Sequence, residues 1–187
     1  MTSMIHSWSK PEPFFIEFGG GYLHGDLLSG DTDKLPEILF LHGTEGESRR
    51  DFLLLRQTLL EQYGISSCAF DFMGHGNTSG KPAAGSLQER AAQAGDIIDA
   101  CFDLQPLSIV AAGTSAEVAL LLTESFSIRH LVLLNPNPAG DYKPVDGITR
   151  RIVEIPVEHG QTLASMNNNP ALLAKVAGLI KEALRGG

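Results

Sequence analysis

Short, continuous apolar runs alternate with helix-period stretches along this chain: Ile38–Leu41, Ser67–Phe70, Leu107–Ala112 and His130–Leu134. A strand with one wet face alternates apolar and polar residues, whereas an unbroken run suits a strand covered on both faces. Between the runs, Asp51–Tyr63 carries Leu54, Leu55 and Leu59 at helical spacing and stops at Gly64. Ser86 with Glu89 forms a capping-box pattern that predicts a helix to about Leu104, ahead of Pro106. A helix from Ala116, a strand over Arg151–Ile155 and a helix over Pro170–Leu184 with Asn169 as its cap continue the alternation. Phe14–Phe18 and Tyr22–Leu28 alternate around Gly19-Gly20-Gly21, the pattern of a hairpin. The expected fold is therefore α/β: one domain over residues 1–187, with a mostly parallel central sheet flanked by helices and preceded by a β-hairpin.

Charge narrows the classes of partner. Fourteen basic against 22 acidic residues give a net charge of −8, with no basic cluster beyond Arg49-Arg50 and Arg150-Arg151. Such a chain repels nucleic acid and anionic membrane surfaces alike. No stretch approaches the ~20 apolar residues of a membrane span. The start lacks the positive-then-apolar order of a secretory signal. The two cysteines, Cys68 and Cys101, have no framework spacing and read as buried reduced thiols, so the cytoplasm is the expected compartment. Gly80-Lys81-Pro82 is not a phosphate loop, because Pro82 stands where a magnesium-binding hydroxyl is needed. The six histidines are scattered, without a His-x-x-x-His pair that would suggest a metal.

Three segments carry chemistry, each at the end of an expected strand. Gly113-Thr114-Ser115-Ala116-Glu117 follows Leu107–Ala112 and opens a helix; His42-Gly43-Thr44 follows Ile38–Leu41; Asp71 to Ser79 follows Ser67–Phe70 with Gly74 and Gly76. Together they resemble the α/β-hydrolase superfamily, in the branch of serine esterases and monoacylglycerol lipases, over about residues 14–184. Asn135–Arg150, rich in Pro, Gly and Asp, has no room for the lid, helix and strand that the family places there. The chain is thus expected to be lidless, either as a minimal member or as a truncated form.

The resemblance implies a serine ester hydrolase of the carboxylesterase or lipase-like type, acting on a small ester or acyl substrate without organic cofactor or metal. Ser115 is the expected nucleophile, and His159, between the last strand and the last helix, its base. Asp141 is the expected acid, with Asp146 as the other candidate. The N–H groups of Thr44 and Ala116 are expected to form the oxyanion hole. His42 and Asp71 are expected to be framework residues. Glu117 departs from the family, which has a small residue two places after the serine. That departure and the short interval support a second reading, a non-catalytic α/β-hydrolase scaffold that binds a small ligand or a protein partner.

Overall fold

The computed structural model describes residues 10–31, 33–43, 47–78, 86–137, 140, 142–143, 145–153 and 163–186. Seven strands form one sheet: β1 (Glu12–Phe18), β2 (Gly21–Leu28), β3 (Ile38–Leu41), β4 (Ser67–Phe70), β5 (Leu107–Ala112), β6 (Ile128–Leu134) and β7 (Thr149–Val153). Their order is β1-β2-β4-β3-β5-β6-β7. The β1–β2 hairpin joins β4 antiparallel, while β3 to β7 run parallel to one another. This is the expected architecture. The connection from β6 to β7 contains no helix among the described residues.

Helices α1 (Leu53–Tyr63), α2 (Leu87–Cys101), α3 (Ser115–Leu122), α4 (Ala164–Asn167) and α5 (Pro170–Arg185) cover both faces. One face packs Leu39, Leu41, Phe70, Ile109 and Ala111 against α2 and α3. The other packs Ile38, Phe40, Val110 and Val132 against α1, α4 and α5. Alternate residues of each central strand thus enter opposite cores, which is why those strands read as unbroken apolar runs. Among the described residues, no helix is long and apolar enough to cross a membrane.

Local chemistry sets the element ends. Gly64 closes α1 in the left-handed conformation at φ 68°, and Asn169 accepts the Leu172 N–H at 3.0 Å to start α5 behind Pro170. A 3₁₀ turn, Arg49–Phe52, precedes α1 and is closed by a capping box between Ser48 and Asp51. Helix α2 ends at Cys101, three residues short of the expected Leu104. Phe102 is buried as its cap, and Asp103 and Leu104 turn left-handed to bring the chain to Pro106. The anchoring of Phe102 in the core outweighs the helical preference of the residues after it. Strand β7 begins at Thr149 rather than Arg151, and residues 154–155 lie outside the described residues.

Candidate functional site

Strand β3 hands the chain to β4 on one side, and β4 then crosses back to β5 on the other. The crevice at the carboxyl ends of β3 and β5 is therefore the topological switch point, where open α/β sheets bind ligands. The turns carrying His42-Gly43 and Gly113-Thr114-Ser115 meet there.

Several side chains among the described residues meet at that crevice. His42 is fully buried, and its Nε2 accepts the Phe72 N–H at 3.1 Å. Burial, followed by the charges of His75, Arg90 and Arg49, lowers its pKa from 6.5 to about 3, so the ring is neutral. Arg90 reaches in from α2 with its guanidinium 4.2 Å from the centre of the Phe72 ring. Its Nη2 donates to the Gly43 carbonyl at 3.0 Å and to Ser115 Oγ at 3.1 Å, and its Nη1 donates to Thr114 Oγ1 at 3.2 Å. Burial lowers the Arg90 pKa, and the Glu47 carboxylate opposes that shift. Glu47 is itself buried, and its Oε2 accepts the Gly43 N–H at 2.8 Å. Neither Arg90 nor Glu47 stood out in the sequence. The only signal was a charged residue one turn from Leu87 and Ala94, beside the apolar face of α2.

The elbow differs from the expected one in register. A nucleophilic serine is lifted from the sheet edge because the serine itself occupies the strained strand-to-helix turn. Here β5 runs to Ala112, and the left-handed residue directly after it is Gly113, at φ 52°. Ser115 is instead the first residue of α3, and it is 0% exposed. Its hydroxyl donates to the His42 carbonyl at 2.5 Å and accepts from Arg90. A proton held by a carbonyl is not presented to a base, and an oxygen that accepts from a cation is a weaker nucleophile. With Gly113 at the turn, the small residue two places on is Ser115, and Glu117 lies a further two residues into the helix. Glu117 therefore does not occupy the close-packed position that the sequence reading assigned to it. It lies near Tyr142, whose phenol is raised first by burial and then by the Glu117 charge.

A Cβ added at Gly113 would meet only the Gly43 Cα, at 3.8 Å. Gly113→Ala is therefore expected to lower stability through backbone strain alone, by about 1–2 kcal/mol. Urea denaturation checks this, and an unchanged midpoint would contradict the left-handed turn.

The other site residues divide into two groups. Ala116 is described: its N–H donates to the Gly113 carbonyl at 3.2 Å, so it already has an acceptor within the chain. Asp146 is exposed, next to the left-handed Gly147. Thr44, Asp141 and His159 lie outside the described residues. The expectation for Asp71 is met, since its carboxylate accepts the Arg49 N–H at 2.8 Å and the Asn77 N–H at 2.9 Å. No group of three or more His, Cys, Asp or Glu side chains among the described residues could hold a metal ion.

Comparison with known proteins agrees with this architecture. A predicted CIB-like hydrolase from Thermoplasma acidophilum superposes with a TM-score of 0.66 at 14% identity, over 93% of this chain and 99% of that one. The thioesterase domain from the curacin biosynthetic pathway gives a TM-score of 0.60 at 24% identity, over 72% of this chain and 48% of that one. Est1E from Butyrivibrio proteoclasticus, solved with ferulic acid bound, gives 0.57 at 21% identity, over 66% of this chain and 52% of that one. The chain has the α/β-hydrolase fold. It spans nearly the whole of the Thermoplasma protein but about half the length of the other two. No protein-family model matches the sequence, and no curated protein matches it either.

Proposed function

We propose that this chain is a non-catalytic α/β-hydrolase-fold scaffold, whose role is binding rather than bond cleavage. The observation that carries this reading is the glycine at the turn. Gly113 has no side chain with which to attack a carbonyl, and the nearest serine hydroxyl, on Ser115, is closed between the His42 carbonyl and Arg90. The Gly43 N–H, beside the turn where an oxyanion would be held, is occupied by the Glu47 carboxylate. A carboxylate there repels the negative charge that develops during acyl transfer. The fold keeps its switch point, where Arg90, Ser115 and Glu47 hydrogen-bond to the two turns, while His42 Nδ1 and Arg90 Nε are buried without a hydrogen-bond partner among the described residues.

A second reading, the serine ester hydrolase, draws support from the solved thioesterase domain and from Est1E, solved with ferulic acid bound. It requires the first turn of α3 to unwind so that Ser115 takes the strained position. Ser115 would then attack the carbonyl of a small ester, with His159 taking its proton, Asp141 or Asp146 orienting the imidazole, and the Thr44 and Ala116 N–H groups receiving the oxyanion.

A serine-directed fluorophosphonate, followed by mass mapping, separates the two readings. The scaffold predicts no adduct on the folded protein, and ester hydrolysis indistinguishable from that of Ser115→Ala. Stoichiometric labelling of Ser115, lost in that variant, would overturn the scaffold reading in favour of the esterase.

A further inference from the structure

At the edge of the sheet opposite the switch point, the amino ends of β3, β5 and β6 open onto a cleft of about 470 Å³. That volume falls within the roughly 300–1,000 Å³ usual for small-molecule sites. A β-bulge shapes its wall. In the β5–β6 ladder Leu107 faces Ile128 and Ser108 faces His130, so Arg129 is an extra residue in β6. A bulge re-aims the side chains around it. Regular pleating would send Arg129 and His130 to opposite faces of the sheet, yet both line the cleft.

The bulge thus sets an unpaired cation beside a fixed imidazole. Arg129 is exposed, and its guanidinium has no hydrogen bond or ion pair among the described residues. His130 Nδ1 is tied to the hydroxyl of Ser108 at 3.0 Å, and Ser108 is itself buried on β5. The imidazole is held in one orientation, with Nε2 left without a partner among the described residues. Burial, and then the Arg129 charge, lower the His130 pKa, so the ring is neutral at neutral pH.

We infer that this cleft binds a small monocarboxylate carrying an apolar tail. The planar guanidinium of Arg129 takes both carboxylate oxygens. With the Ser108 hydroxyl donating to Nδ1, His130 presents Nε2–H as a further donor. Pro36, Pro106 and Leu184 line the same cleft and give the tail an apolar surface. Charge selects a monoanion. The other cation in the lining, Lys34, is engaged by Glu37 at 2.7 Å. Asp33 also lines the cleft, so a dianion such as phosphate meets more repulsion than a single carboxylate does. A neutral molecule would leave the guanidinium unanswered. The cleft lies at the other end of the strands from Gly113 and Ser115, so this inference is independent of whether the switch point binds or cleaves.

The test titrates hexanoate into the folded chain and follows its backbone amides by proton–nitrogen correlation NMR. Saturable shifts are expected at Ser108, Arg129 and His130. Hexanol, with the same tail length and no charge, should leave those amides in place. Arg129→Gln, a change at an exposed side chain, should weaken hexanoate binding on the order of tenfold or more. Lys175→Gln removes an exposed cation of α5 that does not line the cleft, and it should bind as wild type does. The inference is overturned if hexanoate gives no saturable shift at these amides or shifts Gly113 and Ala116 instead. It is overturned equally if hexanol or inorganic phosphate moves them as strongly, or if Arg129→Gln binds no more weakly than Lys175→Gln.

Discussion

Acidification from pH 6.5 towards 3 is expected to destabilise the fold through one residue, His42, by up to about 1.4 kcal/mol per pH unit. The native imidazole titrates near 3, against 6.5 for an unperturbed histidine. Within that window the unfolded chain binds a proton that the native state refuses. Stability therefore rises with pH across the window, and the contribution is complete above about 6.5. Burial is the largest cause, because a charged ring at this depth would lose its hydration. His75, whose ring centre is 4.9 Å away, and the guanidinium groups of Arg90 and Arg49 add repulsion. The ring also accepts the Phe72 N–H through Nε2, and that lone pair would be lost on protonation. Urea denaturation at a series of pH values should show a steeper acid loss for wild type than for His42→Gln, whose amide oxygen can still accept from Phe72 but does not titrate. Parallel pH profiles for the two proteins would mean that the buried ring is not the titrating group.

The sequence made the sheet legible for a physical reason. Strands β3, β4 and β5 are buried on both faces, so they appear as unbroken apolar runs between polar turns. Helix caps at Gly64, Ser86 and Asn169 were legible because each meets a local hydrogen-bonding or dihedral need. Helix α4 was not, since four residues hold too little period to read; it is held by the burial of Met166 and by Asn167, whose Nδ2 donates to the Asp51 carbonyl. The elbow was legible as a strand-turn-helix but not in register. In Gly113-Thr114-Ser115, the chemistry of the serine suggested that it stands at the turn. The backbone decides otherwise, because glycine adopts the left-handed conformation without steric cost and stands directly after the strand. The charged groups that meet at the switch point, Arg90 and Glu47, come from α2 and from the segment between β3 and α1. Their meeting depends on tertiary packing, which a one-dimensional pattern does not carry.

Removal of the Asp71 carboxylate should cost the most stability of any single polar change, about 3–5 kcal/mol for Asp71→Ala. Asp71 is fully buried directly after β4, where it accepts from the backbone N–H groups of Arg49 and Asn77 and pairs with the Arg49 guanidinium. That guanidinium also donates from Nε to Asp26 at 2.8 Å, and Asp26 in turn accepts from the buried Arg56 at 2.5 Å. Two carboxylates and two guanidiniums thus neutralise one another between β2, β4 and the helices. Deleting Asp71 leaves a cation with half its compensation and strands two N–H donors at once. The turn around it is built to this carboxylate. Gly76 approaches so closely that a Cβ there would sit 2.3 Å from the Asp71 carboxyl carbon, at φ 51°. Asp71→Asn should cost less than Asp71→Ala, because its amide oxygen can still accept one N–H while the charge balance is lost. Urea denaturation at neutral pH ranks the two variants against wild type. A loss below about 1 kcal/mol for Asp71→Ala would reduce the pair to the value of an exposed ion pair, and the turn's stability would then have to come from Phe72 and the core beneath it.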